Sequence, residues 1–210
     1  MSGKFITIEG IEGAGKSSCL SFIRQLIENK GVTVIETREP GGTPLGEDLR
    51  SLLLGHKHQG MSKEAELLLM FAARAEHLAS KIRPALAKGA WVLCDRFTDA
   101  TYAYQGAGRG IQPGRIAIIE DWVQQGLQPD LTLLLDIPVL QGLERAGKRS
   151  APDRIERESI AFFDAVRQGY LEIAMANPQR VKVIDASVGL QDVQAQLATV
   201  MAAILNGAVQ

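Results

Sequence analysis

The chain has 210 residues, 46% of them hydrophobic and 22% charged, a composition that argues against disorder and predicts one globular domain over residues 1–210. Its formal net charge of −1 gives no electrostatic reason to expect nucleic-acid or membrane binding, so any anion must be held by local clusters of Arg and Lys. No apolar run approaches the length of a membrane span, and the first strand begins too early for a signal peptide. We therefore expect a cytoplasmic protein in which Cys19 and Cys94 are buried, reduced thiols.

Strands and helices alternate along the chain. Apolar runs rich in Val, Ile and Leu predict buried strands over 5–8, 32–37, 90–95, 130–136 and 181–185. Helical periodicity predicts helices over 17–30, from Ser62 onward, over 154–177 and over 190–205. This alternation predicts a three-layer α/β fold with a five-stranded parallel sheet, whose ligands bind at the carboxyl ends of the strands.

Two of these helices have a clear apolar face. The helix over 17–30, which Gly31 ends, has a stripe formed by Cys19, Phe22, Ile23, Leu26 and Ile27. The helix that Ser62 can cap has a face formed by Leu68, Ala72, Ala75, Ala79 and Ile82. Each face is suited to packing against another apolar surface.

Residues 10–17 match the phosphate-binding pattern GxxxxGK[ST], with the sequence Gly10, Ile11, Glu12, Gly13, Ala14, Gly15, Lys16 and Ser17. The glycines let backbone N–H groups point inward at phosphate oxygens, and Lys16 adds positive charge for the β- and γ-phosphates. The Ser17 hydroxyl can ligate Mg²⁺, and the helix that begins there presents its positive dipole end to the same anion. Because the loop lies between a predicted strand and a predicted helix, it predicts a P-loop NTPase fold that binds ATP.

A P-loop alone does not distinguish an enzyme from a nucleotide-controlled switch. GTPase switches carry an Asn-Lys-x-Asp sequence for guanine, which does not occur in this chain, and the loop lacks the second lysine of partition-type ATPases. A phosphotransferase is therefore favoured, and a switch stays open as the alternative.

Charged residues also follow two other predicted strands. Asp95 ends the strand over 90–95, where it can hold Mg²⁺ through water, and Arg96 can clamp a phosphate with its planar fork. Arg38 opens a turn over 38–43 that is shaped by one Pro and two Gly residues, and Arg50 follows on the next helix. A plain loop and a structural ion pair are the alternatives at these two places.

Phe71 and Arg74 lie three residues apart on the helix after Ser62, so they share a face with Leu67 and Leu78. An aromatic ring beside a guanidinium can recognise a pyrimidine, since the ring stacks on the base and the Arg donates to a base carbonyl. From these residues alone, a core Phe and a surface Arg is the favoured interpretation.

A basic cluster surrounds a stretch of helix breakers over 147–152, and it consists of Arg145, Lys148, Arg149, Arg154 and Arg157. In a P-loop protein such a segment predicts a mobile helical lid over about 145–157 that closes on ATP and neutralises transition-state charge. His56 and His58 lie in a polar loop, and we do not expect them to bind a metal.

Several segments together resemble the thymidylate kinases of bacterial type, over nearly the whole chain. These segments are 8–17, 37–43, 95–97 with 103–105, and 153–156, of which 37–43 and 153–156 are specific to that family. The resemblance implies an ATP- and Mg²⁺-dependent kinase that phosphorylates dTMP to dTDP. It also implies a homodimer, for which the apolar face of the Ser62 helix is a candidate interface.

The resemblance further implies roles by position at the acceptor site. Phe71 would stack on thymine, and Arg74 would donate to thymine O4, where cytosine presents a donor and is rejected. Thr101 and Gln105 would contact the base region, and Tyr104 would crowd the sugar 2′ position. The monophosphate would be surrounded by three arginines, Arg38, Arg50 and Arg96.

Glu12 stands where some family members carry an arginine that reaches the γ-phosphate. In the subclass with an acid here, the lid supplies the catalytic arginines, for which Arg154 is the first choice and Arg149 the second, while Glu12 faces the acceptor sugar. Lys16 and Arg96 complete the catalytic set.

At the ATP site, Arg145 and the turn over 185–187 would flank adenine. Ser17 and Ser18 replace the commoner threonines and keep the hydroxyl ligand. A kinase for another nucleotide or for a deoxynucleoside is the remaining alternative within this fold.

Overall fold

The computed structural model describes residues 3–58, 60–148 and 153–206, and its centre is a five-stranded parallel sheet. The strands are β1 (Phe5–Glu9), β2 (Val34–Arg38), β3 (Trp91–Asp95), β4 (Leu131–Asp136) and β5 (Val181–Asp185), in the spatial order β2-β3-β1-β4-β5. The predicted three-layer α/β fold and all five predicted strands are confirmed.

Helices connect the strands. They are α1 (Lys16–Glu28), α2 (Pro44–Leu54), α3 (Lys63–His77), α4 (Arg83–Ala87), α5 (Thr98–Thr101), α6 (Pro113–Gln124), α7 (Val139–Gly147), α8 (Ile160–Ala176) and α9 (Leu190–Asn206). A short 3₁₀ turn spans His56–His58, and π-helical segments span Leu78–Ile82 and Tyr102–Gly108.

The sheet brings three predicted site segments to one edge. All pairings are parallel, and Asp95 at the end of β3 lies in register with both Ile8 of β1 and Arg38 of β2. The phosphate-binding loop leaves β1 at this edge, between β3 and β4. The interiors of β1, β3 and β4 are buried on both faces, which is why their sequences are apolar runs without clean alternation, whereas the edge strands β2 and β5 are partly exposed.

The helix predicted over 154–177 begins later, at Ile160, so its predicted start was wrong. The Ser159 hydroxyl caps α8 by accepting from the Phe162 N–H at 3.2 Å. Before this cap the chain forms a turn, because the Asp153 carboxylate accepts from the backbone N–H groups of Ile155 and Glu156. Two local side-chain caps therefore overrule the helical propensity of this arginine-rich stretch.

Ser62 caps α3 as predicted, since its hydroxyl accepts from the Ala65 N–H at 3.2 Å. The apolar face of this helix faces outward: Leu68 is 57% exposed, and the three alanines of the face are exposed as well. Ile82 is buried and leaves that face, because it ends the π-helical segment Leu78–Ile82, which shifts the helical phase. The buried side of α3 contains Glu66, Phe71 and Arg74 instead.

Cys19 and Cys94 are both buried free thiols. Within the described ranges, no helix combines the length and the apolarity that a bilayer crossing requires.

Candidate active site

The shape of the phosphate-binding loop depends on its glycines, as Gly13 and Gly15 show. Gly13 has φ 74°, and a Cβ there would collide with the Gly142 carbonyl oxygen of α7. Gly15 has φ 90° and directly precedes α1, so the helix N-terminus opens onto the loop. This geometry leaves the N–H groups of the first turn available for an anion.

Lys16 folds back across the loop. Its Nζ donates to the carbonyl oxygens of Gly10 and Ile11 at 3.1 and 3.0 Å. Burial, with the Arg96 charge nearby, lowers the pKa of Lys16 to about 8. A bound phosphate would offer this ammonium a stronger, charged acceptor than the two carbonyl groups.

The donor set for a magnesium ion is present beside Lys16. Asp95 and Ser17 line a shared cavity, which we call the outer cavity. Asp95 Oδ1 is buried without a hydrogen-bond partner among the described residues, which is costly unless a ligand satisfies it. A carboxylate and a hydroxyl are the hard oxygen ligands that Mg²⁺ takes, so these residues fit the ion.

A second site opens on the other side of Lys16 and Asp95. We call it the acceptor cavity, and it is lined by Glu12, Lys16, Glu39, Pro40, Arg50, Leu54, Met70, Arg74, Asp95, Arg96, Phe97, Ala100, Thr101, Tyr104, Gln105, Asp153, Ile155 and Glu156. The structure therefore brings together most of the residues predicted for the acceptor. Arg38 and Phe71 are not among them. Arg38 pairs with Glu47 at 2.9 Å and lines the outer cavity, and Phe71 is buried at 2% exposure.

Arg96 is held in a strained, left-handed backbone conformation with φ 69°. Its guanidinium donates to Glu12 Oε1 at 2.8 Å and to the Tyr170 hydroxyl at 3.1 Å, and it stacks 4.7 Å from the Tyr104 ring centroid. The Tyr104 hydroxyl donates to both oxygens of Glu12. Glu12 thus fixes an arginine and a tyrosine at the mouth between the two substrate sites.

Sequence reasoning missed Glu9, which ends β1 and is fully buried. Its carboxyl group accepts from the Phe97 N–H at 2.6 Å and from the Tyr170 hydroxyl at 2.8 Å. Burial, with the Asp99 charge nearby, raises the pKa of Glu9 to about 8. An acid at the end of an otherwise apolar strand is the signal that could have found it.

Arg74 is buried at 2% exposure, so the interpretation of a surface Arg was wrong. Its Nη2 donates to Thr101 Oγ1 at 2.9 Å and to the Phe97 carbonyl oxygen at 3.2 Å. Its Nη1 is buried with no partner anywhere in the part of the chain that the structure describes. Phe71 lies behind Arg74, with its ring centroid 4.7 Å from the guanidinium carbon.

Glu66 on α3 was also missed. It is 1% exposed and accepts from Gln105 Nε2 at 2.8 Å, from Arg109 Nε at 3.2 Å and from Arg154 Nη2 at 2.6 Å. Arg154 also donates from Nε to the Leu53 carbonyl oxygen at 2.7 Å. In this conformation the structure therefore does not bring Arg154 to Lys16, and its catalytic role stays a prediction.

Three further arginines were predicted to bind the substrates or to belong to the lid. Arg149 lies outside the described residues. Arg145 donates from Nη1 to the Ala186 carbonyl oxygen at 2.9 Å, which brings it to the turn predicted to flank adenine. Arg50 donates to the Pro40 carbonyl oxygen at 2.9 Å, and burial, with Arg38 nearby, lowers its pKa.

A phosphate-binding loop that shares its lysine with an arginine-lined second cavity brings two anionic substrates together. The fold and the site thus define a P-loop phosphotransferase. A family model described as thymidylate kinase matches residues 8–197. The chain belongs to the thymidylate kinase family.

Individual relatives agree with this assignment. The chain is 56% identical to the thymidylate kinase of Methylococcus capsulatus and 57% identical to that of Pseudomonas savastanoi pv. phaseolicola, with 98% of both chains covered in each case. Among solved structures, it is similar to thymidylate kinase from Ehrlichia chaffeensis, with a TM-score of 0.77, 36% identity and coverage of 96% of this chain and 99% of that one. Since these relatives are kinases, the switch alternative is set aside and the resemblance seen in the sequence is confirmed.

Proposed function

We propose that the protein transfers the γ-phosphate of ATP to the 5′-phosphate of dTMP, giving dTDP and ADP. An oxygen of the dTMP phosphate attacks the γ-phosphorus in line, and the bond from that phosphorus to the bridging oxygen of ADP breaks. The attacking oxygen is already ionised at neutral pH, so alignment and charge neutralisation are the main tasks of the protein.

The observation that carries the choice of acceptor is the free donor of Arg74. Arg74 Nη1 is buried without a partner among the described residues, so it needs an acceptor, and the 4-keto oxygen of thymine supplies one. The 4-amino group of cytosine presents a donor at the same place and is therefore rejected. Thr101 and Gln105 line the same cavity. We assign ring stacking on thymine to Phe71, which lies next to Arg74 with its ring centroid 4.7 Å from the guanidinium carbon.

At the phosphate end, the N–H groups of Gly10, Ile11, Glu12, Gly13, Ala14, Gly15, Lys16, Ser17 and Ser18 cradle the ATP phosphates. Ser17 and Asp95 would hold Mg²⁺, which supplies charge neutralisation of the phosphate oxygens when bound. Lys16 leaves the two loop carbonyl groups and reaches the β- and γ-phosphates. Arg145, with the turn over 185–187, flanks adenine.

The acceptor phosphate would meet Arg96 and Arg50 in the acceptor cavity and Arg38 from the outer cavity. Glu12 and Tyr104 face the sugar, where the tyrosine ring leaves no room for a 2′-hydroxyl. We assign neutralisation of transition-state charge to Arg154 and Arg149 on lid closure. For this, Arg154 would break its hydrogen bonds to the Leu53 carbonyl oxygen and to Glu66 and bind phosphate instead.

We also propose that the chain works as one domain, as a homodimer, in the cytoplasm. Support for the dimer comes from the exposed apolar side chains of two neighbouring helices, Leu68 of α3 with Ile118 and Trp122 of α6, which are 57%, 73% and 79% exposed. Support for the location comes from two buried free thiols.

The test is ADP release from MgATP with a panel of nucleoside monophosphates. We expect fast turnover with dTMP, slower turnover with dUMP, and little with ribothymidine monophosphate, dCMP or AMP. Preference for another acceptor would keep the phosphotransferase and overturn the role of Arg74. No turnover with any monophosphate would overturn the proposed reaction.

A further inference from the structure

The guanidinium of Arg74 is fixed by a buried chain of polar groups that the proposed reaction does not use. Arg74 Nε donates to Glu39 Oε2 at 2.7 Å, and the other oxygen of that carboxylate lies 3.0 Å from His77 Nδ1. His77 Nε2 in turn lies 2.7 Å from the Thr37 hydroxyl. The exposed fractions are 2% for Arg74, 5% for Glu39, 0% for His77 and 7% for Thr37, so water does not compete for these bonds.

The Glu39 carboxylate fixes the direction of its hydrogen bond with His77. A carboxylate can only accept, so His77 must carry a proton on Nδ1. In the tautomer that carries only this proton, Nε2 is free to accept from the Thr37 O–H. Gly42 closes the site from above, since a Cβ there would lie 2.7 Å from His77 Nε2.

As a result, Nη1 is the one guanidinium nitrogen of Arg74 that has no partner among the described residues and can bind a ligand. Glu39 fixes Nε, while Thr101 and the Phe97 carbonyl oxygen fix Nη2. The guanidinium is planar, so fixing two of its nitrogens fixes the direction of the third. His77 sets the orientation of Glu39, and therefore acts on Nη1 through two hydrogen bonds.

We propose that His77 and Glu39 are positioning residues that determine specificity at position 4 of the pyrimidine base. This inference rests on the proposed reaction with dTMP. Without the Nδ1–H donor, the Glu39 carboxylate can rotate, and Arg74 loses the alignment that favours a 4-keto over a 4-amino base. The 5-methyl group lies elsewhere on the ring, so discrimination of dTMP from dUMP does not depend on these hydrogen bonds.

A pair of substitutions isolates the Nδ1 donor. His77→Asn keeps an N–H donor near the position of Nδ1, whereas His77→Gln keeps a polar group only near the position of Nε2. We expect His77→Gln to lower the kcat/KM ratio of dTMP over dCMP about tenfold, through KM for dTMP and not KM for ATP, since one bond to a charged group is lost. His77→Asn should retain most of that ratio, and His58→Gln, on an exposed histidine, serves as the matched control.

The outcomes separate this inference from the reaction on which it rests. A dTMP-over-dCMP ratio that is equal in wild type, His77→Asn and His77→Gln would overturn the inference, and so would a parallel fall in the dTMP-over-dUMP ratio, which a general loosening of the pocket would cause. Thermal unfolding of each variant checks that a lower ratio does not follow lower stability alone. If wild type itself does not turn over dTMP, the proposed reaction fails first and the inference fails with it.

Discussion

Glu66 is the place where the acceptor base region and the lid share one carboxylate. Gln105 belongs to the segment that lines the acceptor cavity, and Arg154 belongs to the lid, yet both donate to Glu66. We expect Glu66→Gln to destabilise the fold strongly. An amide has one acceptor oxygen and one NH₂ group, so at least one arginine would face a donor in place of an acceptor.

The size of this loss of stability follows from the burial of the carboxylate and its partners. Removing one member of a buried ion pair costs about 3–5 kcal/mol, because it leaves the other charge without a partner. The side chains of Glu66, Arg154 and Arg109 are 2%, 9% and 18% exposed, so water can relieve part of this cost and the low end, about 3 kcal/mol, applies. For a chain of this size, that corresponds to a fall in Tm of about 6–12 °C.

The effect should depend on pH with a definite sign. Burial alone raises the pKa of Glu66, but the hydrogen bonds from Gln105, Arg154 and Arg109 outweigh it and hold that pKa below the ordinary value of 4.5. The contribution of the carboxylate is therefore complete above pH 4.5 and is lost as the pH falls further through the folded-state pKa. The difference between wild type and Glu66→Gln should be constant near neutrality and shrink in acid.

Urea unfolding of wild type, Glu66→Gln and Glu64→Gln measures this prediction. Glu64 lies on the same helix, is half exposed, and its only ion pair in the described chain is a 3.9 Å contact with Arg115, so its substitution should change stability by no more than about 0.5 kcal/mol. A Glu66→Gln variant as stable as Glu64→Gln would refute the reasoning about the shared carboxylate.

Three further expectations concern catalysis, metal and pH. Lys16→Ala and Arg154→Ala should each lower kcat by about 10²–10³-fold while the protein stays folded, and a near-normal kcat would remove that residue from the mechanism. Asp95→Asn should raise the Mg²⁺ concentration for half-maximal activity by about tenfold, whereas an unchanged titration would contradict the metal assignment. The folded state keeps the Glu9 proton up to about pH 8 while the unfolded chain loses it near 4.5, so wild-type stability should fall by up to about 1.4 kcal/mol per pH unit between these values. Glu9→Gln should lack this fall in urea unfolding, and parallel pH profiles of the two proteins would show that Glu9 is ionised in the fold.

The elements that could be predicted from the sequence are those whose signals are local. The phosphate-binding loop is a contiguous motif, and each strand is a contiguous apolar run, so both follow without knowledge of the fold. The predicted start of α8 was wrong because two caps, Asp153 and Ser159, outweigh helical propensity over a few residues. Such competition is decided by hydrogen bonds that a periodicity count does not weigh.

The hydrogen bonds that orient Arg74 could not be predicted from the sequence, for a different reason. Glu39 is 35 residues from Arg74 in sequence, and Thr101 is 27 residues from it. Their pairing depends on how β2, α3 and α5 meet, which no local pattern encodes. The spacing of Phe71 and Arg74 predicts that they share a face, but it does not predict that the charged residue is buried.

Helix α3 shows both what a local pattern predicts and what it misses. Its apolar stripe around Leu68 was easy to see and faces outward, while the side with Glu66 and Arg74 faces inward. The buried charged face is stable because residues of distant segments pair with its charges. The exposed apolar face is unfavourable in water. The proposed homodimer would remove that cost, and it would place the subunit contact on the back of the helix that carries the base-reading arginine.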